Sequence, residues 1–152
     1  MKFKIIANEQ TPGIAPYLWS NKTSLIAENQ KLMVKFLSFA GRQYLCAGLA
    51  ANQVSCDGIR IMTPFFALRS KNFWDIIACP EITRYMGEEA EKIEGCLTWL
   101  GKKILAKRFP EIEVKYFDIK GNEVKKRLSG FEAQVFQHEY NHLRGAPEIV
   151  AK

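Results

Sequence analysis

The sequence predicts one α+β domain over residues 1–152, with short antiparallel strands packed around a central helix that comes late in the chain. Three observations predict it. Two stretches carry apolar residues at helical spacing, short apolar or alternating runs bounded by turn residues lie between them, and no repeat, low-complexity tract or linker divides the chain. A length of 152 residues is enough to bury a core, and 47% hydrophobic with 25% charged residues is the balance of an ordinary folded chain.

Residues 1–20 hold Pro12, Gly13 and Pro16 and read as an irregular lead-in. From about Ser24 to Ala40, Leu25, Ile26, Leu32, Met33, Phe36, Leu37 and Phe39 recur at roughly helical spacing until Gly41 stops the pattern, so an amphipathic helix is expected. Cys46 to Val54 is rich in small residues, which let other backbone or a ligand approach closely. Ile59–Met62 and Asp75–Pro80 read as short strands with a loop around Arg69–Asn72 between them, and Ile82–Tyr85 can extend the second. Gly87–Glu91 reads as an acidic turn. Glu111–Asp118 alternates Ile112, Val114 and Tyr116 against charged neighbours, Lys120-Gly121-Asn122 turns the chain, and Glu123–Leu128 returns as the second arm of a hairpin. Ser129 with Glu132 three residues on reads as a capping box, opening a helix from Gly130 to Leu143 with Arg144 in its last turn and Gly145 as its C-cap.

That second helix carries the chemistry. Gln137-His138-Glu139-Tyr140-Asn141-His142-Leu143 contains the only two histidines of the chain. Spacing of i, i+4 sets both imidazoles on one face, where they can hold one metal ion with Glu139 beside them as a candidate base. A catalytic metal needs a third protein ligand and one open position. Glu148 is the downstream candidate, but it is expected to lie too near His142 in sequence to fold back. The third ligand is therefore sought upstream, and Cys96 is the best choice, although free cysteines commonly serve only as small buried hydrophobes.

The remaining composition excludes several classes. Cys46, Cys56, Cys79 and Cys96 show no Cys-x-x-Cys spacing and follow no secretory signal, so reduced thiols are expected. No stretch is long enough to span a bilayer. The net charge of +6 gathers at Lys102, Lys103, Lys107, Arg108 and at Lys125, Lys126, Arg127. Without interleaved aromatics these clusters read as solvated surface before they read as a nucleic-acid platform.

Gly48-Leu49-Ala50-Ala51-Asn52-Gln53, Glu94-Gly95-Cys96-Leu97 and Gln137 to Leu143 resemble, in order, the three motifs of the peptide deformylase family, and the layout between them matches from about Ser24 to Gly145. The resemblance implies that Cys96, His138 and His142 hold a metal, typically Fe(II), with Zn(II), Ni(II) or Co(II) able to substitute. Donor softness alone suits iron, nickel and zinc alike. Glu139 would take a proton from the attacking water and pass it to the leaving amine. The Gln53 amide and the Leu97 backbone N–H would stabilise the oxyanion, and Gly48 would offer its backbone to the substrate. Glu94 would anchor the ligands from behind, with Arg108 spaced to pair with it. Phe131 and Val135 share a helix face with His138 and either wall a pocket for a methionine side chain or serve as plain core. Gln134 lies on that face with no role assigned.

The implied reaction is hydrolysis of the N-formyl group from formyl-methionine at the N-terminus of newly made polypeptides, releasing formate in the cytoplasm. The rivals are a metallopeptidase or other amidase using the same helix, and an inactive formyl-peptide binder or structural metal site. Cys46 departs from the usual glycine at the start of the first motif, and Asn141 from the usual acid before the second histidine. Seven residues follow Gly145, where many bacterial members carry a further helix implicated in ribosome docking. This shape is similar to the short virus-encoded members, for which the compartment would be the host-cell cytoplasm. The basic clusters would offer another route to the ribosome. A monomer is expected, with nascent formylated peptides as partners and neither DNA nor membrane among them.

Overall fold

The structure, a computed structural model, describes residues 1–43 and 46–152. Among these the chain runs β1 (Phe3–Ile5), α1 (Lys22–Gly41), β2 (Gly48–Ala50), β3 (Val54–Cys56), β4 (Ile59–Arg60), β5 (Phe65–Ser70), β6 (Phe73–Met86), β7 (Ala90–Glu94), β8 (Ile104–Arg108), β9 (Glu111–Phe117), β10 (Glu123–Ser129), α2 (Gly130–Arg144) and β11 (Ile149–Val150). The strands form three antiparallel sheets: β1-β3-β4, β10-β9-β6-β5-β2 and β11-β8-β7.

The five-stranded sheet is covered on both faces. In β5, Phe65 and Ala67 join the cluster built around Met33 and Phe36 of α1, while Phe66 and Leu68 join the cluster around Phe136 of α2. Edge-to-face aromatic pairs seat each helix, with ring centroids 5.0 Å apart for both Phe36–Phe65 and Phe66–Phe136. A strand buried on two faces has no polar side to alternate with, so β5 reads as an unbroken apolar run. No strand is expected here from the sequence, and a loop is expected around Arg69–Asn72, but β5 extends to Ser70, and only Lys71 and Asn72 make the turn.

Other expectations are also corrected. Asp75–Pro80 and Ile82–Tyr85 are parts of one strand, β6, with Ile59–Met62 shortened to β4. The register of β6 with β9 shifts between Ala78 and Glu81, and this bulge accommodates Pro80, which has no N–H for the ladder. Residues 1–20 are not wholly irregular, since Phe3–Ile5 pairs with Val54–Cys56 and Pro16–Trp19 forms a 3₁₀ turn. The acidic turn at Gly87–Glu91 runs into β7, which begins at Ala90.

The capping box does not form. Ser129 stands at the N-cap without a side-chain bond, because it is still the last rung of β10, paired with Glu111. Glu132 instead accepts a hydrogen bond from Ser70 Oγ at 3.2 Å. The predicted C-cap does form: Gly145 adopts φ 76°, and the N–H groups of Gly145 and Ala146 bond to the carbonyls of His142 and Asn141. Gly13 passes so close to this end that a Cβ would stand 2.7 Å from the Arg144 carbonyl oxygen.

Phe136 is fully buried, 5.0 Å from Phe66 and 6.4 Å from Tyr116 between ring centroids. Phe136→Ala should lower unfolding free energy by about 3–5 kcal/mol. Urea denaturation checks this, and an unchanged midpoint would show that α2 is not held by this contact.

Candidate metal centre

Helix α2 lifts His138 and His142 into the interior one turn apart, with their Nε2 atoms 3.2 Å from each other. Cys96 arrives from the loop after β7, at the head of a 3₁₀ turn over Leu97–Trp99, with Sγ 3.5 Å from His142 Nε2. Glu94, the last residue of β7, fixes His138. Its Oε1 accepts from His138 Nδ1 at 2.8 Å, which leaves Nε2 facing the cluster. Arg108 Nε and Nη2 bind the two oxygens of Glu94 at 3.0 and 2.8 Å, and Gln134 Nε2 donates to Oε2 at 2.9 Å. Burial alone would raise the Glu94 pKa, but the bonds and charges of His138 and Arg108 outweigh it and hold the carboxyl near about 2. Arg108 is itself buried, so it does not belong to the basic surface cluster in which the sequence had also grouped it.

A groove of about 550 Å³ opens beside this cluster, lined by Gly48, Gln53, Leu97, Phe131, Val135 and Glu139 among others. Gln53 is pinned at both ends of its amide. Its Oε1 accepts from Ala50 N at 2.9 Å, and its Nε2 donates to Thr98 Oγ1 at 2.9 Å and towards Cys96 Sγ at 3.4 Å. A Cβ on Gly48 would stand 2.8 Å from Val135 Cγ1 and 2.9 Å from Glu139 Oε2, so residue 48 has no room for a side chain. Phe131 is 66% exposed at the groove wall, and Val135 is half-buried there while also packing against the core around Phe136. Glu139 is buried with Oε1 lacking any hydrogen-bond partner. Burial, reinforced by the Glu148 and Glu94 carboxylates against the charge of His138, pushes its pKa up to about 7. Burial likewise drives His142 below and Cys96 above their ordinary values.

Glu148 overturns one expectation. It does fold back: its carboxylate oxygens lie 3.5 Å from Nε2 of both His138 and His142, and the Cys96 thiol donates to Oε1 at 3.5 Å. The C-cap at Gly145 turns the chain, and β11 then pairs with Ile104–Leu105 of β8, carrying Glu148 across the helix end. The signal in the sequence was the Gly-x-Pro-x-Ile-Val run after the helix, a turn followed by a short strand. Thr98 was missed and Gln134 was left without a role, because a partner across the fold leaves no local pattern. Of the departures, Cys46 is buried, donates from Sγ to the Gly48 carbonyl at 3.0 Å, and is pushed up to about 12 by burial. Asn141 lines a second cavity on the Glu148 side.

The donor chemistry fits a transition metal. One ligand atom each from Cys96, His138, His142 and Glu148 lie within 4.8 Å of one another, combining a soft sulfur, two imidazole nitrogens and a carboxylate oxygen. A helix offering two imidazoles and a neighbouring acid to one point beside an open groove is the frame of a metal-dependent hydrolase.

The sequence model of the polypeptide deformylase family matches residues 20–149. The chain belongs to the peptide deformylase family, metal-dependent hydrolases that remove the N-formyl group from newly made polypeptides. It is 34% identical over 118 residues to the peptide deformylase of Thermotoga maritima, an alignment covering 78% of this chain and 69% of that one. A solved peptide deformylase structure from the same organism superposes with a TM-score of 0.71 at 25% identity, covering 98% of each chain. Identity to the Rhodopirellula baltica peptide deformylase is 38% over 98 residues, 64% of this chain, and the match spans about half of that relative's length (48%). The solved PDF from the Vibrio parahaemolyticus bacteriophage VP16T, in complex with actinonin, superposes at TM-score 0.69 and 26% identity, covering 95% of this chain and 98% of that one. No helix among the described residues is long and apolar enough to cross a membrane.

The Glu94–Arg108 pair is buried, with side chains 6% and 8% exposed. Arg108→Met should therefore cost about 3–5 kcal/mol by stranding the carboxylate, and the Glu94→Gln/Arg108→Met double variant should recover part of it. Thermal unfolding of the four proteins measures the coupling, and additive losses would show that the pair acts as two independent side chains.

Proposed function

We propose that this chain, acting as one catalytic domain over residues 1–152, hydrolyses the formyl group from formyl-methionyl peptides, releasing formate and a free amino terminus. The observation that carries this reading is the Glu139 carboxylate, which is buried, has Oε1 unpaired, and stands beside the Cys96, His138 and His142 donors at the wall of the groove. Cys96, His138 and His142 would hold the metal, Fe(II) by family resemblance with Zn(II), Ni(II) or Co(II) as substitutes. Such an ion, once bound, supplies the Lewis acidity that makes water a nucleophile at neutral pH.

The chain's own residues do the rest. Glu139 takes the proton of the attacking water and returns it to the departing amine. Gln53 Nε2 and the Leu97 N–H donate to the oxyanion on the formyl carbon. Gln53 can exchange its 3.4 Å contact to Cys96 Sγ for that oxygen while Thr98, at 2.9 Å, keeps the amide oriented. The backbone of Gly48 aligns the peptide, and Phe131 and Val135 present apolar surface to the methionine side chain. Formylated nascent chains are the partners in this reading, the cytoplasm is the compartment, and the exposed Lys125, Lys126 and Arg127 of β10 offer a weak ribosome contact.

Formate release from formyl-Met-Ala-Ser by Fe(II)- or Ni(II)-loaded protein under anaerobic conditions tests the proposal. Glu139→Ala should lower kcat by about 10²–10⁴-fold, the usual worth of a positioned acid–base. Equal release by the variant would remove Glu139 from its role, and no release by the loaded parent would sink the activity.

A further inference from the structure

We propose that Glu148 is a fourth protein ligand to the metal, completing a Cys96–His138–His142–Glu148 set. The inference rests on the ligand assignment above and extends it to a side chain that the three family motifs do not contain. Four observations carry it. The Glu148 oxygens stand 3.5 Å from both histidine Nε2 atoms and from Cys96 Sγ, and the four ligand atoms lie within 4.8 Å of one another. The side chain is only 9% exposed. Its Oε2 is buried without a hydrogen-bond partner, an arrangement that is costly for a carboxylate unless a cation lies beside it.

The fourth observation is that this position is built. Gln10 clamps the backbone of Glu148 from both sides: its Oε1 accepts from Glu148 N at 2.8 Å, and its Nε2 donates to the Glu148 carbonyl at 2.9 Å. Immediately beyond, Ile149 and Val150 pair with Leu105 and Ile104, and Ala151 N bonds to the Lys103 carbonyl at 2.9 Å. A residue held on both sides in this way delivers its side chain to one place.

Glu148 reaches the cluster from a different cavity than the substrate groove. It lines the space bounded by Ile104, Asn141 and Pro147, whereas Gly48, Gln53 and Glu139 line the groove, and His138 borders both. The groove side therefore stays available to water and substrate, and such ions can expand from four to five ligands. The consequence is tighter metal retention.

The test uses the full chain, stripped of metal and titrated anaerobically with Co(II) alone. Stoichiometry, the visible d–d absorption bands and affinity by chelator competition are read for the parent, Glu148→Gln and Gln10→Ala, each checked for folding by circular dichroism. The parent should bind one Co(II) per chain. Glu148→Gln should weaken affinity by at least about tenfold and shift the d–d bands, and Gln10→Ala should weaken it less, because it loosens the clamp but keeps the carboxylate. A folded Glu148→Gln protein with parental affinity and spectrum would overturn the proposal while leaving the three-ligand reading intact. A parent that takes up no Co(II) would instead overturn the ligand assignment on which both stand.

Discussion

A single buried carboxylate organises this protein. Glu94 receives the Arg108 guanidinium through two bonds, His138 Nδ1 through a third and Gln134 through a fourth. A lone ionised carboxyl at this depth would be prohibitive, so the surrounding donors are a condition of its burial. Glu94 and Arg108 come from β7 and β8, and Gln134 and His138 from α2. Two of the four bonds therefore dock the three-stranded sheet onto the helix, two tie β8 to β7 behind them, and the His138 bond leaves Nε2 facing the cluster. Fold and site share one set of contacts.

The other end of α2 is held by a second polar anchor. Asn52 Nδ2 donates both to the His142 carbonyl, at 2.7 Å, and to the Pro12 carbonyl, at 2.9 Å. Ile14 N bonds to the Leu143 carbonyl at 2.9 Å. The Ile14 bond occupies a carbonyl that the last turn of a helix otherwise leaves unpaired, and Asn52 gives the His142 carbonyl a second donor beside the Gly145 N–H. They also fix the segment carrying Asn52 against the helix, and with it Gln53, the next residue. The first motif thus reaches α2 through the Asn52 side-chain amide on a helix carbonyl, and the placement of the Gln53 amide follows from the way α2 ends.

The helices and the β9–β10 hairpin were legible because each keeps one period and one solvated face: Ile112, Val114 and Tyr116 are buried as alternation requires. The strand β5 was not, since burial on both faces erases alternation. That Cys96, His138 and His142 come together was legible from motif order, whereas Glu148, which joins the same cluster, was set aside on sequence distance. Ten residues from His142 to the end of the chain looked too few, yet the turn at Gly145 and the rung of β11 on β8 bring Glu148 back within a few residues. Ser129 shows the reverse failure. The capping-box spacing was present, but a residue still committed to a β-ladder is not free to turn its hydroxyl onto the first turn of the next helix.

Charge balance in the interior favours a cation at this cluster. The chain is basic overall, yet around the cluster stand three carboxylates, Glu94, Glu139 and Glu148, with the Cys96 thiol and two imidazoles. Arg108 is the permanent cation in contact with this group, and both of its short bonds go to Glu94. That leaves Glu139 and Glu148 each with a buried oxygen that no hydrogen bond satisfies. Burial holds Glu139 well above the usual carboxylate range, which eases the first of these. A divalent ion held by Cys96, His138 and His142, as proposed above, would supply positive charge beside these acids. The unpaired buried oxygens of Glu139 and Glu148 are thus the feature of the chain's own side chains that a metal here would answer.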